Sequence, residues 1–181
     1  MQYFIGIDPG KTGAIAVLDE NRHIEFARKF DDLDDIVEKL YFLVEASQIP
    51  AYHGSSPTLL YAYLEKVHAS PQMGVTSAFT FGQSYGYWHG VLGALNIPYE
   101  LITPQKWQGE VLDSKPSKGP MPRVEYRKKL KAHITAFVLR AVPDAKNYIK
   151  LKKDQDIADA ICLALYGIKT SWKGQRSVPT S

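Results

Sequence analysis

The segment that decides the fold is YFIGIDPGKTGAIAVLDENRHIEFAR, residues 3–28. It holds three largely apolar runs, over 3–8, 14–19 and about 23–28, with β-branched and aromatic residues among them. Turn-forming residues separate the runs: Asp-Pro-Gly-Lys-Thr-Gly after the first and Glu-Asn-Arg after the second. Short apolar runs bounded by such turns are typical of strands. The segment therefore predicts a three-stranded antiparallel meander.

Beyond the meander, helical and strand patterns alternate. Apolar residues at three- and four-residue spacing follow Asp31 and Asp32, which predicts a helix that ends near Pro50. The remaining predicted elements are, in order, a strand over 59–67, a loop over 70–82, a helix over 84–95, a strand over 99–102, a loop over 113–122, a basic amphipathic helix over 123–141 and an apolar helix over 157–168. This order predicts an α/β fold, with a mixed sheet flanked by helices.

The chain has 181 residues and one cysteine, Cys162. A chain of this length can form one domain with its own core, and a single cysteine excludes a disulfide framework or a cysteine-rich zinc site. The first residues lack the pattern of a signal peptide, and no apolar run approaches the roughly 20 residues of a membrane helix. We expect a cytoplasmic protein with no membrane contact, a domain over 1–169 and a disordered tail over 170–181.

Charge is distributed unevenly along the chain. Residues 1–114 hold 7 Lys or Arg against 14 Asp or Glu, whereas residues 115–153 hold 12 against 2. A basic segment beside an acidic body indicates a polyanionic partner such as nucleic acid, and a solvated helix face is the alternative. The side chains that we expect to contact DNA phosphates are Lys115, Lys118, Arg123, Arg127, Lys128 and Lys131.

Four carboxylates occupy positions that suggest a shared site. Asp8 ends the first predicted strand, and Glu65 lies near the end of the apolar strand over 59–67. Asp156 and Asp159 are three residues apart, which places them on one face of the last helix. The alternatives are turn or helix capping by the aspartates and solvent exposure of Glu65.

Metal ligation explains these acids better than capping does. Two carboxylates on one face of a buried helix repel each other unless a cation lies between them. A ligand set without His or Cys suits Mg²⁺ or Mn²⁺, and two such ions can hold both reacting oxygens of a phosphodiester. With the basic segment, the acids predict phosphodiester hydrolysis. No nucleotide cofactor is expected, because Ile5 stands where a P-loop ending in Gly10-Lys11-Thr12 needs glycine.

The motifs IGIDPG (5–10), Glu65 at a strand end and DIADA (156–160) resemble, in this order, those of the RuvC-like Holliday junction resolvases. GQSYG (82–86) resembles the family's Gly-Gln-x-x-Gly helix start. The resemblance implies a ribonuclease H-like fold with a mixed five-stranded sheet. It also implies a homodimer that cuts four-way and other branched DNA with two Mg²⁺ ions, for which Mn²⁺ would substitute. The implied catalytic and metal-binding residues are Asp8, Glu65, Asp156 and Asp159.

Several positions depart from the family pattern. Tyr85 stands where the family has a basic residue, and the stretch 113–153, which would hold the catalytic lysine, is longer and more basic. Lys118 is our candidate for that lysine, with Lys115 beside it. TPQKW (103–107) and DIADA resemble viral members of the family, which would place the protein in a host cytoplasm.

Further candidates for DNA contact are Phe79, Phe81 and Gln83. The two aromatic rings could insert between unstacked bases, or they could anchor the predicted loop by being buried. The helix over 84–95 offers an apolar, glycine-rich face to a second copy, with packing on its own sheet as the alternative. Two other functions stay open: a non-catalytic branched-DNA-binding module and a nuclease that makes single cuts in flaps or branches.

Overall fold

The structure is a computed structural model that describes residues 1–10, 12–48, 58–67 and 74–175. Its strands are β1 (Gln2–Asp8), β2 (Ala14–Asp19), β3 (Ile24–Lys29), β4 (Leu59–Glu65) and β5 (Tyr99–Ile102). They form a five-stranded sheet in the order β3-β2-β1-β4-β5. The meander β1–β3 is antiparallel, while β4 pairs in parallel with β1 and β5 pairs in parallel with β4. The mixed sheet predicted from the sequence is confirmed.

Helices cover both faces of this sheet. They are α1 (Leu33–Gln48), α2 (Val75–Ala94), α3 (Pro104–Val111), α4 (Arg123–Ala141) and α5 (Gln155–Gln175). Residues of α1 and α2 pack in one core with the sheet, and residues of α3, α4 and α5 pack in the other. None of the helices within the described residues is long and apolar enough to cross a membrane.

The alternation of side chains along β1 and β4 decides where their last residues lie. In β1, Phe4 joins the core beneath α5, whereas Ile5 and Ile7 join the core beneath α1 and α2. The period of two along a strand therefore places Asp8 on the α5 side, and the same reasoning in β4 places Glu65 there. Because β1 and β4 are parallel neighbours, both acids lie at the same edge of the sheet.

Close contact between α5 and β1 fixes the position of the last helix. A Cβ atom added to Gly6 would lie 2.0 Å from the carbonyl oxygen of Ala160 and 2.6 Å from the backbone nitrogen of Ala164. Only glycine therefore allows the strand and helix backbones to approach so closely. Since Asp8 lies two residues after Gly6, this contact brings the end of β1 to the first turns of α5.

Several predicted elements agree with the structure. The meander is confirmed, with the third strand over Ile24–Lys29, and the basic helix has the predicted bounds. α1 begins after Asp32 as expected, and the predicted stop at Pro50 falls outside the described residues. The stretch 113–122 contains no helix or strand. Local patterns explain these agreements, because the strands and helices show their own periodicity and the stretch 113–122 is rich in Pro, Gly, Ser and Lys.

Two predictions of local structure were wrong. The loop over 70–82 is helical from Val75 onward, so Phe79 and Phe81 lie on α2; Gly82 does not interrupt the helix. The apolar helix extends to Gln175 rather than ending at residue 168, so the first part of the predicted tail is helical. Residues 176–181 lie outside the described part of the chain, and the domain boundary at 169 stays a prediction.

Candidate metal centre

Three aspartates meet at the edge where β1 ends and α5 begins. Asp8, Asp156 and Asp159 each offer a carboxylate oxygen, and these three oxygens lie within 4.8 Å of one another. Asp8 is fixed by its turn, because its Oδ1 accepts a hydrogen bond from the backbone N–H of Gly10 at 3.1 Å. The close contact at Gly6 and the three-residue spacing on α5 together produce this cluster. We refer to these three residues as the aspartate cluster.

Asp156 is the member of the cluster with the most partners. Its Oδ2 accepts a hydrogen bond from the hydroxyl of Thr12 at 2.9 Å, and the Lys29 ammonium lies 3.9 Å from the same oxygen. Its Oδ1 accepts a hydrogen bond from Lys131 Nζ at 2.5 Å. Lys131 stands on α4, so this ion pair places a positive charge of the basic helix directly beside the cluster.

Glu65 lies beside the aspartate cluster rather than within it. It does not belong to the group of oxygens within 4.8 Å, but the charge of Asp8 acts on it and its own charge acts on Asp159. Its Oε1 accepts a hydrogen bond from the indole Nε1 of Trp107 at 2.8 Å. The carboxylate of Glu65 is therefore paired inside the protein, and the alternative that it has emerged into solvent is wrong.

Burial and mutual repulsion disfavour the charged forms of these acids. Burial raises the pKa of Asp8 to about 6, with the charge of Asp156 adding to the effect. Burial and the charge of Asp8 raise the pKa of Glu65 to about 7. Burial, followed by the charge of Asp8, raises the pKa of Asp159 well above its usual value. Burial lowers the pKa of Lys131, but its hydrogen bond to Asp156 and the surrounding carboxylates raise it overall.

The chemistry of the site fits a hard divalent cation. All of the candidate ligands are carboxylate oxygens, which Mg²⁺ and Mn²⁺ prefer, and their negative charges converge in a partly desolvated place. A bound cation would relieve the repulsion that raises the pKa values of Asp8 and Asp159. The three aspartates could therefore hold a divalent metal, and Glu65 stands beside them.

The other predicted site residues lie at varied distances from this centre. Among the lysines predicted to contact DNA, Lys131 lies at the acids, whereas Lys115 and Lys118 are exposed in the stretch 113–122. Phe79 and Gln83 are exposed on α2, and Phe81 is partly exposed. The predicted phosphate contacts that lie exposed on α4 are Arg123, Arg127 and Lys128. The functional roles of all these residues stay predictions.

The sequence analysis missed three residues at the centre: Thr12, Lys29 and Trp107. Thr12 was treated as part of a turn, and Lys29 lay just beyond the predicted third strand. Trp107 lies on α3, a helix that was not predicted. The signal for α3 was present, since Thr103 caps it through a hydrogen bond from the backbone N–H of Lys106, and Pro104 occupies its first turn.

The sheet order, the helices on both faces and the acids at the end of the first strand and the start of the last helix define a ribonuclease H-like fold. Among solved structures, the chain is similar to RuvC of Thermus thermophilus in complex with a Holliday junction substrate. The TM-score is 0.54 at 12% identity, covering 96% of this chain and 97% of that chain. A second structure of Thermus thermophilus RuvC gives a TM-score of 0.56 at 14% identity, covering 95% and 96%.

No protein-family model matches the sequence, and no curated protein matches it. At 12% to 14% identity the structural similarity establishes the fold, which confirms the ribonuclease H-like prediction.

The raised pKa values give an expected dependence of stability on pH in EDTA. Between about pH 4 and pH 7, the folded protein binds more protons at Asp8 and Glu65 than the unfolded chain does. Linkage then requires the free energy of unfolding to fall as the pH rises through this interval, by on the order of 3 kcal/mol per group at most. Thermal unfolding followed by circular dichroism at pH 5.5 and pH 8 measures the difference.

The Asp8→Asn variant is the control for this dependence. It cannot ionise at position 8, so its stability should fall less between pH 5.5 and pH 8 than that of the wild type. If the two proteins show the same pH dependence, the pKa of Asp8 in the folded protein is not raised. If the aspartates hold a divalent cation, addition of Mn²⁺ at pH 8 should raise the melting temperature of the wild type, because a ligand that binds only the folded state stabilises it.

Proposed function

We propose that this protein is a metal-dependent endonuclease that resolves four-way junctions and related branched DNA. The observation that carries the proposal is the aspartate cluster on a ribonuclease H-like sheet, with Lys131 of the basic helix at 2.5 Å from Asp156. The fold shared with RuvC, seen there with a Holliday junction substrate, supports the choice of substrate. The proposed ligands for Mg²⁺ or Mn²⁺ are Asp8, Asp156 and Asp159, with Glu65 beside them.

Each residue of the centre has a role that follows from its contacts. When bound, divalent cations at such a cluster activate a water molecule and stabilise the charge that develops on the phosphodiester. Thr12 holds the orientation of Asp156 through its hydroxyl. Lys131 supplies a positive charge where an anionic phosphate has to approach four carboxylates, and we assign to it the role that the sequence analysis gave to Lys118.

The basic helix α4 provides the surface for the DNA backbone. Arg127, Lys128 and Lys131 line a cavity of about 340 Å³ that extends to Gln155, the first residue of α5. Since Lys131 also contacts Asp156, the cavity and the proposed metal centre share this side chain. A DNA strand held by these side chains would therefore pass the aspartate cluster. Phosphate contacts of this kind give affinity without sequence preference.

The start of α2 supplies an aromatic side chain for unstacked bases. Phe79 is 66% exposed and Val75 is 88% exposed on the first turns of this helix, so the alternative of a loop anchored by both buried rings does not hold for Phe79. Apolar side chains of this kind insert at distorted base steps. We propose that Phe79 contacts bases at the branch point, and that Gln83, one turn further along α2, contacts the same DNA.

We propose a homodimer, because resolution of a four-way junction needs two cuts and one chain has one aspartate cluster among its described residues. Trp88 and Leu92 of α2 pack on the chain's own sheet. The glycines of this helix do not, since Cβ atoms added at Gly82, Gly86 and Gly90 would have no neighbour within 4 Å. Their face is available to a second copy.

Cleavage of labelled DNA tests the proposed function directly. We expect the protein to cut four-way junctions in Mg²⁺ or Mn²⁺ but not in EDTA, and to convert a supercoiled cruciform plasmid mainly to linear product through paired nicks. Mainly nicked plasmid would favour the nuclease that makes single cuts. Junction binding without cleavage in any divalent cation would favour the non-catalytic module.

Sedimentation tests the dimer and its interface together. The wild type should sediment at about twice the chain mass at micromolar concentration. The Gly86→Glu variant should sediment as a monomer with an unchanged fold, because position 86 has open space within the chain, and it should nick the plasmid rather than linearise it. The Gly109→Glu variant is the control, since position 109 on α3 also has open space. A wild-type monomer, or a Gly86→Glu dimer, would refute this interface.

A further inference from the structure

The indole of Trp107 lies in the core next to the end of β4, one of the three elements that carry the acids. The ring is 1% exposed, and it belongs to the core formed by α3, α5 and the sheet. Its Nε1 donates a hydrogen bond of 2.8 Å to Oε1 of Glu65 at the end of β4. α3 therefore connects the core directly to a carboxylate beside the aspartate cluster.

The hydrogen bond constrains a side chain that would otherwise be difficult to hold in place. A glutamate has three rotatable side-chain bonds, and Glu65 has to remain near Asp8 and Asp159 although their charges repel it. A buried indole that is fixed by packing on all sides has little freedom to move. Its N–H therefore holds Oε1 in one position. A hydrogen bond to a carboxylate is stronger than one between neutral groups.

We infer that Trp107 is a positioning residue that orients Glu65 for the metal, an inference that rests on the metal site of the proposed function. A carboxylate has two oxygens, so a hydrogen bond to Oε1 still allows Oε2 to bind a cation. Partners that orient metal ligands in this way commonly change metal affinity by about 10-fold to 100-fold when they are removed. Trp107 thereby acts on the metal through Glu65 and does not touch it.

The chain offers a matched control for this role. Trp88 is also fully buried, but it lies in the core on the other face of the sheet, and its Nε1 has no hydrogen-bond partner among the described residues. Trp107→Phe and Trp88→Phe both remove a buried indole and keep an aromatic ring. Only Trp107→Phe removes a hydrogen bond to Glu65.

Calorimetric titration with Mn²⁺ in the absence of DNA measures the effect. We expect Trp107→Phe to weaken Mn²⁺ binding by about 10-fold or more. Trp88→Phe should leave binding unchanged, with circular dichroism showing that both variants are folded. Combining Trp107→Phe with Glu65→Ala should weaken binding no further than Glu65→Ala alone, because the indole acts through the glutamate. Wild-type affinity in Trp107→Phe, or equal weakening in Trp88→Phe, would overturn the inference.

An NMR measurement on the wild-type protein tests the same inference without any variant. In protein labelled with ¹⁵N-tryptophan, the indole N–H resonance of Trp107 should move when Mg²⁺ is added, whereas that of Trp88 should not. An unmoved Trp107 resonance at saturating Mg²⁺ would also overturn the inference. If the wild type binds neither cation, the proposed metal site itself is wrong and the positioning role falls with it. If it binds and Trp107→Phe binds equally well, only the positioning role is wrong.

Discussion

DNA cleavage by the Asp8→Asn variant is expected to fall by on the order of a thousandfold or more, while the metal-free protein becomes more stable at pH 8. The neutral amide is a poor ligand for a hard cation, so the proposed metal centre loses a member. The same change removes a buried charge that repels Asp156 and Asp159, and whose pKa is raised to about 6. Activity and stability therefore change in opposite directions.

Because cleavage is expected to fall while stability rises, the result differs from that of general damage to the fold, which would lower both. Single-turnover cleavage of a labelled junction in Mg²⁺ measures the loss, and thermal unfolding in EDTA measures the gain. Junction binding should be retained or tightened, since one negative charge facing the phosphates is removed. Asp34→Asn, at an exposed position on α1, is the matched control and should change neither quantity. Cleavage by Asp8→Asn near the wild-type rate would refute the site.

A second large effect is expected from Gly6→Ala, which should lower the free energy of unfolding by about 3 kcal/mol or more. The added Cβ would meet the backbone of α5 at Ala160 and Ala164, and backbone atoms cannot rotate away as a side-chain tip can. α5 has to shift, and Asp159 shifts with it. We therefore expect weaker Mn²⁺ binding in addition to the lower stability.

Gly109→Ala provides the opposite expectation for the same chemical change. Position 109 is exposed on α3, and an added Cβ would have no neighbour within 4 Å. Alanine there should raise the free energy of unfolding by roughly 0.5–1 kcal/mol, because it favours the helix and reduces the freedom of the unfolded chain. Urea denaturation compares the two variants, and similar stabilities for both would show that the contact between β1 and α5 is loose.

The sequence was most informative where a local pattern determined a local structure. The three strands of the meander and the bounds of the basic helix follow from short-range periodicity and turn residues, and each was predicted before any tertiary contact was considered. The sequence grouped the three aspartates with Glu65, and the structure brings the aspartates together with Glu65 beside them rather than among them. The aspartates stand at the end of a strand and the start of a buried helix, where charge is hard to explain otherwise.

What the sequence did not reveal depends on how elements cross one another. Basic residues lie all around α4, so sequence alone could not show which lysine faces the acids. Lys131 does so because α4 passes the first turn of α5, and this crossing has no local signature. The partnership of Trp107 and Glu65 joins residues 42 positions apart on different elements. The sequence also did not predict the first two turns of α2 as helical, because that helix begins with β-branched residues and contains several glycines.

One feature of the topology has a consequence for the synthesis of the protein. Asp8 stands on the first strand and Asp156 on the last helix, and the contact from Thr12 to Asp156 joins residues 144 positions apart. A ribosome releases the amino-terminal part first, so a growing chain exposes the meander long before α5 has been made. Until that helix leaves the exit tunnel and docks, no chain has a complete aspartate cluster. For the proposed nuclease, chains that end before α5 would therefore be harmless to DNA, and cutting would begin only after that helix has docked.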